Sequence, residues 1–178
     1  TTSKLGLNPD KLLTMIEDHK VTDLVIVGDA FARPILGALD EAEKRGTPYR
    51  IESLKQIASS GAMWSTEIKQ GLLRHHDMVL ADVMGSTEGG MGSSVMTREA
   101  AASTAKFELN EGVAVITDDD RMVEPGSGEM GKIATSAFVP LGYYKDPEKS
   151  AATFREVNGV RYSFPGDYAT VEADGSIT

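Results

Sequence analysis

The stretch from Met78 to Gly92, M-V-L-A-D-V-M-G-S-T-E-G-G-M-G, most limits what this chain can fold into. Its apolar run, Met78 to Val83, breaks off into glycines, two hydroxyls and one carboxylate. A run of this length bounded by turn residues fits a strand buried on both faces. Open α/β sheets bind ligands at the carboxyl ends of such strands. Gly85, Gly89, Gly90 and Gly92 are expected to adopt positive φ and let the backbone approach a ligand. Ser86 and Thr87 offer hydroxyls, and Glu88 a hard oxygen suited to Mg²⁺. Spacing alone leaves two readings open, a phosphate-and-metal loop or a flexible glycine loop leaving a strand.

The segments before it alternate in type. Asn8-Pro9 reads as a helix cap with proline at the first helical position, and Leu12, Leu13 and Ile16 form the apolar face that follows. Leu24 to Val27 is a buried strand ending at Gly28-Asp29. Pro34 is expected in the first turn of the next helix, whose stripe is Ile35, Leu36, Leu39 and Ala42. Gly46 reads as its C-cap, with Pro48 just beyond. Leu54 to Ala58 is a strand running into Ser59-Ser60-Gly61-Ala62, and Ser65 or Thr66 caps a helix with Ile68, Leu72 and Leu73 on one face. Strand and helix alternate three times, which predicts α/β architecture around a parallel sheet.

After about Lys106 the pattern changes. Val113 to Thr117, Met122 to Glu124, Lys132 to Phe138 and Tyr168 to Glu172 are short strand-like runs parted by Gly, Pro and Asp. One helix interrupts them, capped by Asp146 with Pro147 behind it. The expected organisation is an α/β subdomain over residues 1–105 and a smaller, mostly antiparallel β subdomain over 106–178, with the boundary near 95–106. Neither Thr1 nor Asp174-Gly175-Ser176-Ile177-Thr178 reads as a natural terminus, so the chain is expected to be a piece of a longer protein.

Composition narrows the partners. Hydrophobic residues make up 40% and charged residues 25%, as in a soluble globular protein. With 18 basic against 27 acidic residues and no basic stripe, a nucleic-acid backbone is not an expected partner. The absence of cysteine excludes disulfides, thiolate nucleophiles and zinc–thiolate sites, and fits a cytoplasmic location. No apolar run is long enough to span a bilayer.

Several lone signals favour ordinary roles. Gly126-Ser127-Gly128-Glu129-Met130-Gly131 spells G-x-G-x-x-G but opens the strand-like K-I-A-T-S-A-F, so it reads as a turn entering a strand rather than a dinucleotide loop. His75-His76 has no third ligand at metal spacing and reads as a helix end. Asp118-Asp119-Asp120 lacks the glycine and closing glutamate of a calcium loop and reads as a solvated turn. Trp64 is assigned to packing. Ser59 to Ala62 could line a flat ring or be a plain strand-to-helix turn. Asp167 could accept both hydroxyls of a ribose or be an ordinary turn aspartate.

Taken in order, these motifs resemble those of the adenylate-forming superfamily, which contains acyl-CoA synthetases, firefly luciferase and peptide-synthetase adenylation domains. The resemblance rests on Gly85-Ser86-Thr87-Glu88, then Gly128-Glu129 with Gly142-Tyr143-Tyr144-Lys145-Asp146-Pro147-Glu148, then Gly166-Asp167. It extends from about Leu24 to the end. The wording of Val27 to Pro34 resembles actinobacterial fatty-acyl-CoA synthetases, including those acting on steroid side chains. By resemblance, Thr87 contacts the α-phosphate of ATP and Glu88 binds Mg²⁺, these two being the catalytic residues. Ser60, Gly61 and Ala62 sit at the adenine-contacting turn. Asp82, Val83, Met84, Gly85 and Ser86 line the adenine and the carboxylate end of the substrate, and Asp167 holds the ribose. Val27 to Phe31 and Gly85 are candidate walls of the acyl pocket. Met84 stands where the family usually has an aromatic residue, and Pro165 where it has Thr.

The implied activity converts a fatty or steroid side-chain carboxylate with ATP to acyl-AMP, which coenzyme A then takes as acyl-CoA. The phosphate loop is expected upstream and the catalytic-lysine domain downstream, so this piece alone is expected to be inactive. Two alternatives stay open: transfer to a carrier protein instead of coenzyme A, and a non-catalytic nucleotide-binding module. Acyl identity and oligomeric state are not legible.

Overall fold

The computed structural model describes residues 6–100 and 106–178. These pack as two compact units: the first holds residues up to Asp82 with those from Val95 to Ala100, the second holds Val83–Ser94 and those from Lys106 on. The boundary expected near 95–106 lies partly outside the described residues.

In the first unit, α1 (Pro9–His19) starts at Asn8, whose side chain accepts from the Lys11 amide at 3.0 Å. After β1 (Asp23–Ile26), α2 (Gly28–Lys44) begins earlier than its sequence suggests, so Pro34 lies inside the helix and not in its first turn. The cause is tertiary. The Gly28 amide donates to Ser59 Oγ at 2.9 Å and the Asp29 amide to the Met63 carbonyl at 3.0 Å, so neighbouring segments satisfy the first helical donors. The far end closes as the sequence indicates. Gly46 (φ +74°) donates to the Glu43 carbonyl and Thr47 to that of Ala42, the paired bonds of a Schellman cap.

Strands β2 (Gln56–Ser59) and β3 (Val79–Ser86) pair in parallel with each other, and β2 with β1, with α3 (Thr66–His75) between β2 and β3 in sequence. The register aligns Leu24, Ile57 and Leu80 in one row and Ile26, Ser59 and Asp82 in the next, where β1 and β2 end and β3 continues. Leu24, Ile26, Ile57 and Leu80 join the helical layer, in a core with Leu13, Ile16, Ile35, Leu39, Ile68 and Leu72. The other face is covered only in part: Ala81 is buried, but Val25 is 78% exposed and Val79 37%, so β3 is not buried on both faces throughout, as its apolar run suggested. An apolar run records what a strand can bury, whereas the layers present decide what it does bury.

In the second unit β3 runs on into a hairpin with β4 (Gly89–Met96). The glycine-rich stretch is therefore strand, not flexible loop, and Gly85, Gly90 and Gly92 do not take the expected positive φ. What these glycines supply is room. A Cβ on Gly89 would lie 2.4 Å from Thr135 Cγ2, and one on Gly92 would lie 2.7 Å from the Glu108 carbonyl oxygen of β5 (Glu108–Leu109), which pairs with β4.

The remaining sheet is antiparallel. Its order is β10 (Tyr168–Thr170), β7 (Met130–Thr135), β9 (Val160–Ser163), β8 (Phe154–Val157), with β6 (Val113–Ile116) also on β7. Met122 to Glu124 makes only an isolated bridge, Ile116 to Met122, and no strand, since Pro125 cannot donate to a ladder. The G-x-G-x-x-G segment is the turn entering β7. The Asp118–Asp120 turn spends its carboxylates on Lys132 (2.8 Å), Arg121 (2.7 Å) and Arg155 (2.6 Å). Helix α4 (Pro147–Thr153) is capped by Asp146, which accepts from the Lys149 amide at 3.0 Å. The expected class, α/β with a parallel sheet followed by antiparallel β structure, is the one observed.

Candidate functional site

In the second unit, chemistry gathers at the tip of the β3–β4 hairpin. Ser86 ends β3, and Thr87 and Glu88 form the turn. Glu88 is held on three sides: its amide donates to Ser86 Oγ at 3.2 Å, its carbonyl accepts from Ser163 Oγ at 3.1 Å, and Oε1 accepts from the Tyr143 hydroxyl. The hydrogen bond from Tyr143, then that of Ser86, hold the Glu88 carboxyl below the usual carboxylate range against the opposing effect of partial burial. The same contact pushes the Tyr143 phenol up.

Tyr143 is itself fixed. Its ring lies 5.1 Å from that of Phe154 and beneath Lys149 Nζ at 4.3 Å, and its amide donates to Ser150 Oγ at 2.8 Å. The G-Y-Y-K-D-P-E motif thus delivers a phenol to Glu88, using the start of α4 as its mount. Thr87 stays exposed at the tip. Asp167 is exposed in the turn before β10, and its carbonyl accepts from Ile133 at 2.9 Å, which leaves the carboxylate on the outside. Met84 is half-buried and packs on the core of Met91, Val115 and Ile133, so its family position serves this unit's interior.

In the first unit the Ser60-Gly61-Ala62 turn is strapped to the start of α2. Besides the bonds from Gly28 and Asp29, the Asp29 carboxylate accepts from the Ser65 amide at 2.9 Å, the Ser65 hydroxyl at 2.8 Å and Arg33 at 3.0 Å. Ser65 is the N-cap of α3 by position but makes no side-chain cap bond, because its hydroxyl donates to Asp29 instead. Burial works against the Asp29 charge, but the Ser65 and Arg33 bonds outweigh it and hold the carboxyl below its ordinary value of 3.8. Val27 and Phe31, proposed as pocket wall, remain partly exposed at 43% and 38%.

A depressed pKa means that this contribution to stability is present above the unfolded value and is lost as pH falls through the folded one. Asp29→Asn is therefore expected to cost about 1 kcal/mol near neutrality, the scale of a lost cap. The difference from wild type should fade below about pH 4, where the unfolded carboxyl protonates. Thermal melts at pH 7 and pH 3 check both parts.

His75 gains the neighbours its sequence lacked: Nε2 lies 2.8 Å from Asp40 and Nδ1 3.6 Å from Glu43, both on α2. The carboxylates meet opposite ring nitrogens, and Arg74 also reaches Asp40 at 3.3 Å. One ion cannot bind both ring nitrogens of one imidazole, so the cluster reads as a polar network joining two helices.

No family model matches the chain. It is 44% identical over 174 residues to the medium/long-chain-fatty-acid–CoA/3-oxocholest-4-en-26-oate–CoA ligase of Mycolicibacterium smegmatis, a match covering 96% of this chain and 32% of that protein. Over nearly its whole length this chain is similar to fatty-acid and 3-oxocholest-4-en-26-oate CoA ligases. It spans about a third of the length of the curated relatives it matches.

Two solved structures share the fold. A long-chain-fatty-acid–CoA ligase from Archaeoglobus fulgidus superimposes with TM-score 0.74 at 19% identity, covering 97% of this chain and 36% of that one. A nonribosomal peptide synthetase in its AMPPNP-bound form gives 0.77 at 18%, covering 99% and 20%. At such identities the likeness concerns fold alone.

Two residues of this CoA-ligase relative escaped sequence reading. Tyr143 belongs to a motif that was legible, but its target lies 55 positions away in sequence and only folding supplies it. Lys69 is 1% exposed and donates to Asp82. A helical period placing Lys69 four before buried Leu73, on a face with Ile68 and Leu72, was its available signal.

Proposed function

We propose that this chain is the nucleotide- and acyl-binding centre of an AMP-forming acyl-CoA synthetase acting on fatty or steroid side-chain carboxylates. The observation that carries this reading is the ionised Glu88 carboxylate fixed at the carboxyl end of β3, in a relative of CoA ligases. A hard, charged oxygen with one neutral donor on it suits Mg²⁺, which uses one or two carboxylates plus substrate phosphates. Bound there, the ion would neutralise charge on the phosphates.

The chain's own groups do the rest. Thr87 donates its hydroxyl to the α-phosphate, and Asp167 accepts the ribose hydroxyls. Ser60 to Ala62 and Asp82 to Ser86 line the adenine and the acid's carboxylate. Held in line, a carboxylate oxygen bonds to the α-phosphorus and pyrophosphate departs. The thiolate of coenzyme A then bonds to the acyl carbon and AMP leaves.

The test uses the intact parent protein with ATP, Mg²⁺, a fatty or C26 steroid acid and coenzyme A. Acyl-CoA, AMP and pyrophosphate in equal amounts are expected. Acyl transfer only to a carrier protein would favour that acceptor. Tight binding of a non-hydrolysable acyl-adenylate without turnover would favour a binding module.

Tyr143→Phe keeps the ring on Phe154 and removes only the donor to Glu88. Losing such an outer partner costs about 10- to 100-fold in metal affinity or activity. The Mg²⁺ concentration giving half-maximal ATP–pyrophosphate exchange should rise by about tenfold, with the melting temperature little changed.

A further inference from the structure

Among the described residues Lys69 is the one buried lysine, at 1% exposure, and the proposed reaction gives it no task. From α3 it donates to Asp82 Oδ2, and its ammonium lies 5.3 Å from the Trp64 ring centre. The surroundings are buried: Trp64 is 1% exposed, and its Nε1 has no hydrogen-bond partner among the described residues. Desolvating such a pair can cost more than its attraction returns, and apolar residues in its place are often neutral or stabilising. Stability alone therefore does not account for the pair.

Position does. Asp82 lies within β3, level with Ile26 and Ser59, the last residues of β1 and β2, and its neighbour Ser59 leads directly into the Ser60-Gly61-Ala62 turn. Asp82 retains 8% exposure while Oδ2 is tied inward. We infer that Lys69 is a positioning residue that fixes the Asp82 carboxylate so that its other oxygen accepts the exocyclic amine of adenine, making the pair a determinant of ATP over GTP. An anchored anion accepts from an amine and repels the carbonyl oxygen that guanine carries at the same place. The inference rests on the reading that Asp82 lines the adenine.

The experiment measures ATP–pyrophosphate exchange in the intact parent protein for Lys69→Met, Lys69→Arg, Asp82→Ala and the double variant Lys69→Met/Asp82→Ala. Loss of a hydrogen bond to a charged group scales to about tenfold or more. Lys69→Met should raise KM for ATP by about that factor, more than it lowers kcat, and narrow the ATP-to-GTP preference. Lys69→Arg should recover part of both. If Lys69→Met does not fold, the double variant removes the uncompensated charge and should show the same narrowed preference. A lower melting temperature with unchanged KM and unchanged preference would overturn the inference and leave Lys69 as packing. Unchanged KM in the double variant would show that Asp82 does not line the adenine, and both statements would fall. A raised KM in Asp82→Ala with none in Lys69→Met would remove Lys69 alone.

Discussion

On the proposed function, replacing Glu88 with alanine in the intact parent protein should lower ATP–pyrophosphate exchange by about 10³-fold, the scale for losing one preorganised electrostatic group at a reacting centre. The side chain's neighbours make the result interpretable. Ser86 and Ser163 bind the Glu88 backbone, so the hairpin tip keeps two of its three ties when the carboxylate goes. Fold and nucleotide affinity should therefore survive better than turnover. Glu88→Gln keeps a carbonyl acceptor for Tyr143 but loses the charge, and should fall nearly as far, because the Mg²⁺ proposed there would require a hard anion. Exchange within about threefold of wild type in both variants would end the synthetase proposal, since the charge they remove is credited with most of about 10³.

Gly28→Ala should be the most destabilising small change in the first unit. A Cβ there would lie 2.4 Å from the Met63 carbonyl oxygen and 2.9 Å from that of Ala62, both backbone atoms that cannot rotate away. Gly28 also holds φ at +50°, which disfavours an L side chain by about 1–2 kcal/mol. Added to about 1–3 kcal/mol for overpacking, the cost comes to about 3 kcal/mol. The effect should also reach function. Gly28 anchors Ser59 through its amide, and the displaced atoms belong to or adjoin the turn proposed to line adenine, so on that proposal the variant should bind ATP more weakly even below its melting temperature. Denaturant unfolding and nucleotide titration measure the two effects separately. Full stability with φ unchanged would contradict the packing account.

Local patterns in the sequence determined much of this protein. Asn8-Pro9 and Asp146-Pro147 start helices because a side-chain acceptor and a donor-free residue solve the N-terminal problem within four positions. Gly46 ends one because only glycine takes that φ cheaply. The three-fold alternation of strand and helix led to the parallel sheet, and the order of short motifs led to the relatedness with CoA ligases. Each of these rests on residues close in sequence.

Tertiary structure alone decided the rest. The glycines after Met84 became a hairpin because Thr135 and Glu108, remote in sequence, leave no space for a Cβ against them. Ser65 gave up its capping bond because Asp29 lay across from it. Glu88 acquired Tyr143 and Ser163, Asp82 acquired Lys69, and His75 acquired Asp40 and Glu43, all through partners on other elements. Backbone conformation follows from neighbours within a turn or two of the chain. The environment of a charge follows from whatever folding carries to within about 4 Å of it, and no local pattern encodes that.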